Sequence, residues 1–238
     1  MTAFTFQRYE MKYCLSEEQY RNLLPEIESR MEPDAHCREG RFYSIYNVYF
    51  DTEDEAIIRA SLRRPCHKEK LRLRSYHSPV PTGGIVYLEM KKKTAGIVHK
   101  RRAEMTIEDA EKFLSTGEFT RTESYIRTQV LEEIRFFMRT HAVKPAVYIC
   151  YRRRAFFDPK DPNFRVTFDD EIRACRENAS LKGTHLSEDI LPGNRYLMEI
   201  KTSGAVPKWL AKSLSENHIF RTHFSKYGTE YLRRNNAC

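Results

Sequence analysis

The chain has 238 residues, of which 40% are hydrophobic, and a formal net charge of +8 at pH 7. A chain of this size can bury one substantial core, so we expect a single domain over residues 1–238. No apolar run approaches the ~20 residues of a membrane-spanning helix, and the first residues do not have the pattern of a secretory leader. We therefore expect no membrane span and a cytoplasmic protein. The six scattered cysteines predict neither a zinc site nor a disulfide framework.

Short runs rich in Tyr, Phe, Val and Ile predict eight strands, and N-cap signals and amphipathic stretches predict helices. In chain order the predicted elements are strand FQRYEMKY, a helix after Ser16, strands YSIYNVYFD, EKLRLRSY, IVYLEMKKK and IVHKRRAEM, a helix after Thr106, a helix within 123–141, strands PAVYICYRRRAFF, FRVTFDDEI and RYLMEIKT, and a helix opened by Pro207, with KYGTEYLRRN as a final turn or two. This order predicts an α+β fold with a mostly antiparallel sheet, and eight strands are enough to close a barrel.

Charged residues occupy one face of several predicted strands. Residues two apart in a strand share a face, so Arg72 and Arg74 lie opposite Leu71 and Leu73, and the same arrangement recurs in RYEMKY, YLEMKKK and LMEIKT. A solvated face explains any one of these strands. Cations on neighbouring strands repel one another unless an anion lies between them. The four strands together favour a barrel interior that is lined by Lys and Arg and binds a polyanion.

The motifs RYEMKY, YFDT, KLRLRSY, YLEMKKK, HKRR, YRRRAF, FRVTFDDEI, LMEIKT, VPKW and FSKY, in this order, resemble the VTC domain. This domain is the polyphosphate polymerase module of the triphosphate tunnel metalloenzyme (CYTH-like) superfamily. The resemblance runs from Arg8 to Tyr227. It implies an eight-stranded antiparallel β-barrel tunnel with flanking helices, and a metal-dependent enzyme that transfers the γ-phosphate of ATP to a growing polyphosphate chain.

The resemblance also implies roles for individual residues. Glu199 corresponds to the glutamate that binds Mn²⁺ or Mg²⁺, with Glu10 and Glu89 as partners. The implied catalytic residues are Lys12, Arg72, Arg74, Arg153, Arg165 and Lys226. The implied phosphate-binding residues are Lys12, Arg72, Arg74, Lys91, Lys100, Arg102, Arg153, Arg165, Lys201, Lys208 and Lys226. We expect Glu104 and Asp169 to hold the cations in place.

One position departs from the family's pattern. The superfamily's hydrolases open with ExExK, whereas Arg8, Glu10 and Lys12 form RxExK here. Loss of a carboxylate weakens a hydrolytic metal site and favours the polymerase branch. Two alternatives stay open: a triphosphatase that hydrolyses inorganic or organic triphosphates, and a non-catalytic module that binds polyphosphate or nucleotide.

We expect ATP and polyphosphate, rather than nucleic acid, as partners. A nucleic-acid binder would explain the net positive charge. It would not explain why the cations are confined to one strand face together with glutamates. The sequence leaves the product length and the oligomeric state open.

Overall fold

The structure is a computed structural model that describes residues 9–37, 40–63, 65–95, 97–120, 124–183, 185–191 and 193–236. Eleven strands and six helices lie within these ranges. The strands are β1 (Tyr9–Ser16), β2 (Glu32–Pro33), β3 (Tyr43–Asp51), β4 (His67–Ser75), β5 (Ile85–Thr94), β6 (Ile97–Thr106), β7 (Lys144–Phe157), β8 (Arg165–Cys175), β9 (Glu188–Asp189), β10 (Arg195–Thr202) and β11 (Arg221–Thr222). The helices are α1 (Glu17–Arg30), α2 (Ala56–Leu62), α3 (Ile107–Thr116), α4 (Tyr125–His141), α5 (Lys208–Glu216) and α6 (Lys226–Asn236).

The strands form one antiparallel sheet in the order β11-β1-β10-β8-β7-β3-β4-β5-β6, with β2 paired to β7 and β9 paired to β8. All eight predicted strands are present, as β1, β3 to β8 and β10. The prediction of a closed eight-stranded barrel is wrong, because the sheet is open and has three further strands, β2, β9 and β11, of two residues each. β11 pairs with β1 at Lys12 and Tyr13, and no ladder joins β1 to β6 in the described residues.

The open sheet curls until its two ends approach each other. Five strands separate β1 from β5 in the sheet order, yet Lys91 Nζ of β5 lies 2.8 Å from Glu10 Oε2 of β1. A contact of this length requires the two strands to face each other across a concave space, which we call the lumen. The antiparallel α+β fold is thus confirmed, with a curled sheet in place of a closed barrel.

Helices cover the convex face of the sheet. Both predicted N-caps are present: the Ser16 side chain accepts a hydrogen bond from Gln19 N, and the Thr106 side chain accepts one from Asp109 N. Apolar residues of α1 and α5 share a core with β1, β8 and β10. Those of α3 and α4 share a second core with β4, β5 and β6. No helix within the described ranges has both the length and the apolar character needed to cross a membrane.

An irregularity in β7 and β8 changes which side chains of β8 face inward. The register shifts between Cys150 and Arg152, and Glu171 in the facing strand has a φ of +44°. Asp169, before this bulge, reaches the lumen, and Ile172, after it, packs into an apolar core on the same concave face. An extra residue in a strand reverses its alternation. The bulge therefore lets a polar half and an apolar half of β8 point to the same side.

α2 and α6 pack against the concave face. Ile58 of α2 and Tyr227 of α6 share a third core with Tyr49 of β3. The Tyr49 hydroxyl accepts a hydrogen bond from Arg72, which places this core beside the charged lumen. The sequence analysis did not predict α2, because its N-cap residue, Glu55, makes no side-chain capping bond. The two helices close part of the concave face with apolar side chains.

Asp51 joins the end of β3 to both of these helices. It is fully buried. Its Oδ1 accepts a hydrogen bond from Ile57 N at 2.9 Å, and its Oδ2 accepts bonds from Ile58 N at 3.0 Å and from the Tyr227 hydroxyl at 2.8 Å. One carboxylate thereby satisfies two backbone donors at the start of α2 and fixes α6.

Replacing Asp51 with Ala should lower the free energy of unfolding by ~2–4 kcal/mol, because several buried donors lose their acceptor. Tyr227→Phe removes one of these bonds and should cost about 1 kcal/mol. Urea denaturation followed by circular dichroism measures both. Glu53→Ala is the control, since the Glu53 side chain is 84% exposed. An Asp51→Ala protein as stable as the control would contradict the anchoring role.

Candidate functional site

Charged side chains from seven strands and from α6 meet in the lumen. The strand residues among them lie on the face opposite to the apolar residues that pack under the outer helices, as the alternation predicts. The cations are Lys12, Lys70, Arg72, Arg74, Lys91, Lys100, Arg102, Arg153, Lys201 and Lys226, and the carboxylates among them are Glu10, Glu89, Asp169 and Glu199. Because these cations outnumber the carboxylates, the lumen attracts anions.

The first cluster surrounds Glu199, whose side chain is buried. Lys12 Nζ lies 3.1 Å from Glu199 Oε1, and Lys201 Nζ lies 3.4 Å from Oε2. Lys226 Nζ approaches Oε1 to 4.0 Å. Burial opposes ionisation of Glu199, but Lys12, Lys201 and Lys226 hold its pKa well below the usual range. The carboxylate is therefore ionised and keeps three ammonium groups together.

Glu10 lies beside this cluster. Lys12 Nζ is 3.5 Å from Glu10 Oε1, and Lys91 Nζ is 2.8 Å from Oε2. Burial and the neighbouring Glu199 raise the pKa of Glu10, but Lys91 and Lys12 outweigh both and lower it to about 2. Glu10 and Glu199 are consequently both ionised at neutral pH, with Lys12 between them.

The pair Glu10 and Glu199 fits a divalent metal that also binds substrate. Among the residues that the structure describes, no group of three or more His, Cys, Asp or Glu side chains could hold a metal ion by itself. Mg²⁺ and Mn²⁺ suit carboxylate ligands, and Mg²⁺ commonly takes one or two carboxylates plus substrate phosphates. The two ionised carboxylates meet that requirement. Glu89, the third predicted ligand, lies in a different cluster of cations.

The second cluster surrounds Glu89, whose side chain is 1% exposed. Arg72 Nη2 and Lys100 Nζ each lie 2.7 Å from this carboxylate, Arg102 Nε lies 3.3 Å away and Arg74 Nε lies 3.8 Å away. Burial raises the pKa of Glu89, but Arg72 and Arg74 turn the shift downward. Burial also lowers the pKa of Lys100 to about 7, despite its contact with Glu89. One buried carboxylate thus orders four cations.

Asp169 holds a third group of cations, in the position predicted for it. It is fully buried, and Arg153 donates two hydrogen bonds to it, at 2.6 and 2.8 Å. Lys226 donates to the same carboxylate. Its ammonium group also lies 4.2 Å from the centre of the Tyr151 ring, whose hydroxyl accepts a bond from Arg74. This group connects the Glu199 cluster to the Glu89 cluster.

Lys70 is a lumen residue that the sequence analysis left out of the phosphate-binding set. Its Nζ donates a hydrogen bond to Ser225 Oγ at 3.1 Å. Burial, together with the nearby charges of Lys12, Lys68 and Lys91, lowers the pKa of Lys70 to about 7. Its strand face was visible in the alternation of β4. The family resemblance, however, implied no phosphate-binding role for Lys70.

Two predicted phosphate ligands lie away from these clusters. Arg165 is exposed at the start of β8, opposite Lys201 in the register, and its Nε donates to the Pro162 carbonyl. It therefore lies at the rim of the lumen. Lys208 is exposed at the first residue of α5, and α5 packs on the convex face, so the structure does not bring it to the lumen. Arg8, which distinguishes RxExK from ExExK, lies outside the described residues.

Other charged residues of the same strands face outward. Lys92 Nζ lies 2.8 Å from Glu133 Oε1 of α4, and Arg101 Nε lies 3.3 Å from Glu133 Oε2. Strand alternation places Lys92 and Arg101 on the face away from the lumen, and these contacts agree with it. Glu104, which we expected to hold cations inside, lies on the same face of β6 as Lys100 and Arg102, opposite Tyr87, and its side chain forms a hydrogen bond with that tyrosine.

The comparisons with known proteins agree with this architecture. A search of curated proteins returns no match. Among solved structures, the chain is similar to a candidate adenylate cyclase from Bacillus halodurans, with 16% identity, a TM-score of 0.52, and coverage of 92% of this chain and 95% of that chain. It is also similar to a protein from Pyrococcus horikoshii OT3, with 14% identity, a TM-score of 0.50, and coverage of 95% and 99%. At these identities the likeness shows a shared fold.

The family comparison is more specific. The chain matches the family described as the VTC domain over residues 7–233, nearly its whole length. The motifs that carry this resemblance supply the lumen cations and the carboxylates that order them. The protein belongs to the VTC domain family.

Proposed function

We propose that this protein is a polyphosphate polymerase, which transfers the γ-phosphate of ATP to a polyphosphate chain inside the lumen. The observation that carries the proposal is the array of cations ordered by the buried carboxylates Glu89, Asp169 and Glu199. Phosphoryl transfer depends on positioning and on stabilisation of charge, both of which a preorganised array supplies. Membership of the VTC domain family supports the same reaction.

Two cation clusters in one lumen suit a reaction between two anions. Arg72, Arg74, Lys100 and Arg102 surround Glu89, and the lysines of the other cluster surround Glu199. ATP and the end of a polyphosphate chain repel each other in water. Cations on both sides offset that repulsion and allow the reacting atoms to approach.

The chemical step needs no strong general base. A terminal oxygen of the polyphosphate attacks the γ-phosphorus of ATP, the bond from that phosphorus to the β–γ bridging oxygen breaks, and ADP leaves. The polyphosphate is then one phosphate longer. The attacking oxygen is already ionised, so Lys12, Arg72, Arg74, Arg153 and Lys226 contribute charge and orientation. Arg165, at the rim, would bind the chain outside the reacting centre.

Glu199 and Glu10 would hold the divalent metal, Mn²⁺ or Mg²⁺. When bound, such an ion neutralises charge on phosphate oxygens. The chain's own contribution is to keep both carboxylates ionised at neutral pH, which the surrounding lysines achieve. Lys12, which contacts both carboxylates, prevents their mutual repulsion from separating them.

The proposal is tested by incubating the purified protein with ATP and Mn²⁺ and separating the products. We expect long-chain polyphosphate and an equal amount of ADP for each phosphate added. Orthophosphate without polyphosphate would identify a triphosphatase, with water as the acceptor. Cyclic AMP would identify a cyclase, and ATP binding without any product would identify a binding module. Each of these three results would overturn the polymerase proposal.

Glu199→Gln should lower metal-dependent turnover at least 100-fold, because it replaces a charged metal ligand with a neutral amide of similar size. Tripolyphosphate binding without metal should be unchanged or tighter, since the substitution deletes a negative charge from an anion site. Turnover assays and isothermal titration calorimetry measure the two effects separately. Glu133→Gln, on the convex side, is the matched control and should alter neither. Loss of metal-free binding together with turnover would point to a structural role for Glu199.

Binding of tripolyphosphate at about pH 8 should take up protons. Lys70 and Lys100 have pKa values of about 7, so both are largely neutral in the free protein at that pH. A bound polyanion favours the protonated amines and raises these values, which gives an uptake of up to about one proton per lysine. Calorimetry in two buffers of different ionisation enthalpy measures the uptake. Lys70→Gln should reduce it, whereas Lys212→Gln on α5 should not, and equal uptake in both variants would refute the assignment.

A further inference from the structure

Aromatic side chains border one end of the lumen. Tyr43 of β3 lies opposite Arg153 and Tyr87 of β5 lies opposite Arg74, so both are on the inward-facing side, and Tyr76 directly follows β4. The Tyr76 ring centre lies 5.8 Å from that of Tyr87 and 6.1 Å from that of Tyr43. The imidazole of His36 lies nearly parallel to the Tyr76 ring, at 12° and 5.4 Å. We call these four side chains the aromatic platform.

Arg102 connects the platform to the Glu89 cluster. Its guanidinium carbon lies 3.6 Å from the centre of the Tyr87 ring, and its Nη2 donates to the Tyr76 hydroxyl at 3.4 Å. Its Nε lies 3.3 Å from Glu89. The Arg102 side chain is 37% exposed. A flat cationic group backed by an aromatic ring is a surface on which a nucleobase stacks.

A cleft adjoins two of the platform side chains, Tyr76 and Tyr87. The cleft has a volume of about 330 Å³ and lies between the ends of β4 and β5, lined by Tyr76, His77, Val80, Pro81, Ile85 and Tyr87 together with Gly83 and Gly84. A Cβ atom at Gly84 would lie 2.7 Å from the Pro81 carbonyl oxygen, so glycine allows this wall to fold tightly. Cavities of this size are at the small end of those that bind small ligands.

Tyr87 lies outside the apolar cores and contacts polar and aromatic groups instead: Arg102 and Tyr76 contact its ring, and Glu104 forms a hydrogen bond with its side chain. Its side chain is only half-buried, and it belongs to none of the three apolar cores of the described residues. Tyr87 precedes Glu89 by two positions on the same strand face, a separation of ~6.7 Å between Cα atoms. A nucleotide with its phosphates in the Glu89 cluster would therefore bring its base to the platform.

We infer that the aromatic platform binds the base of the nucleoside triphosphate whose phosphates lie in the Glu89 cluster. The inference rests on the proposed function for the placement of the phosphates. Stacking requires only an aromatic face, and every nucleobase has one. Purine nucleotides should accordingly bind with similar affinity, and an alkyl triphosphate without a base should bind more weakly.

The test compares ATP with methyl triphosphate, which has the same triphosphate and no base. Dissociation constants are measured by calorimetry without added metal, so that ATP is bound and not turned over. We expect ATP to bind the unmodified protein about tenfold more tightly, the effect of one stacked base. Tyr87→Leu and Tyr76→Leu should each reduce this ratio towards one, because any effect of these variants on Arg102 and the phosphates is common to both ligands and cancels in the ratio. Tyr125→Leu, which removes a tyrosine that is 73% exposed on α4, is the control and should keep the ratio.

Each outcome decides the question. Equal affinities for ATP and methyl triphosphate in the unmodified protein would overturn the inference before any variant is made. A ratio that persists in both Tyr76→Leu and Tyr87→Leu would also overturn it. Binding is measured without turnover, so a protein that makes no polyphosphate could still show the stacking effect. A polymerase with equal affinities would retain the proposed function and lose only the platform.

Discussion

Mutual repulsion between cations is the constraint on which the lumen depends. Two unit charges about 4 Å apart interact by ~4 kcal/mol at an effective dielectric constant of 20, so closely spaced lysines and arginines cannot share a partly buried space unaided. Glu89, Asp169 and Glu199 offset this repulsion, and each contacts two or more cations. The cations of the lumen still outnumber its carboxylates, so a net positive charge remains. A bound polyphosphate would supply the remaining negative charge, and so the folded protein is already complementary to such a ligand.

A second constraint is that each strand with cations in the lumen has a charged face and an apolar face. A strand that carries cations inward must bury its other face, and α1, α3, α4 and α5 provide the apolar cover outside. Inside, the apolar side chains of α2 and α6 occupy the part of the concave face that carries no charge. The bulge at Glu171 allows β8 to serve both regions, with Asp169 on one side of it and Ile172 on the other.

The sequence predicted the parts that depend on local pattern. Alternation placed Lys12, Arg72 and Glu199 on one face, because a two-residue period is a property of any strand. The prediction that the sheet closes was wrong. β11 pairs with the edge of β1 that a closed barrel would use, and a strand of two residues has no periodicity to detect. α2 was missed because its cap comes from Asp51, five residues before the helix. Lys208 and Lys226 lie in similar short motifs, VPKW and FSKY. They differ in location because α5 packs on the convex face of the sheet and α6 packs on the concave face.

The distribution of lysine and arginine has a consequence for how the lumen responds to an anion. Arginine stays protonated even when buried, whereas burial lowers the pKa of lysine. Asp169 is paired with Arg153, and Glu89 with three arginines, so these arginines keep a fixed positive charge beside both carboxylates. Lys70 and Lys100, with pKa values of about 7, carry charge that depends on occupancy. In the free protein, deprotonation of Lys70 and Lys100 would reduce the repulsion between cations, and a bound polyanion would favour their protonated, charged forms.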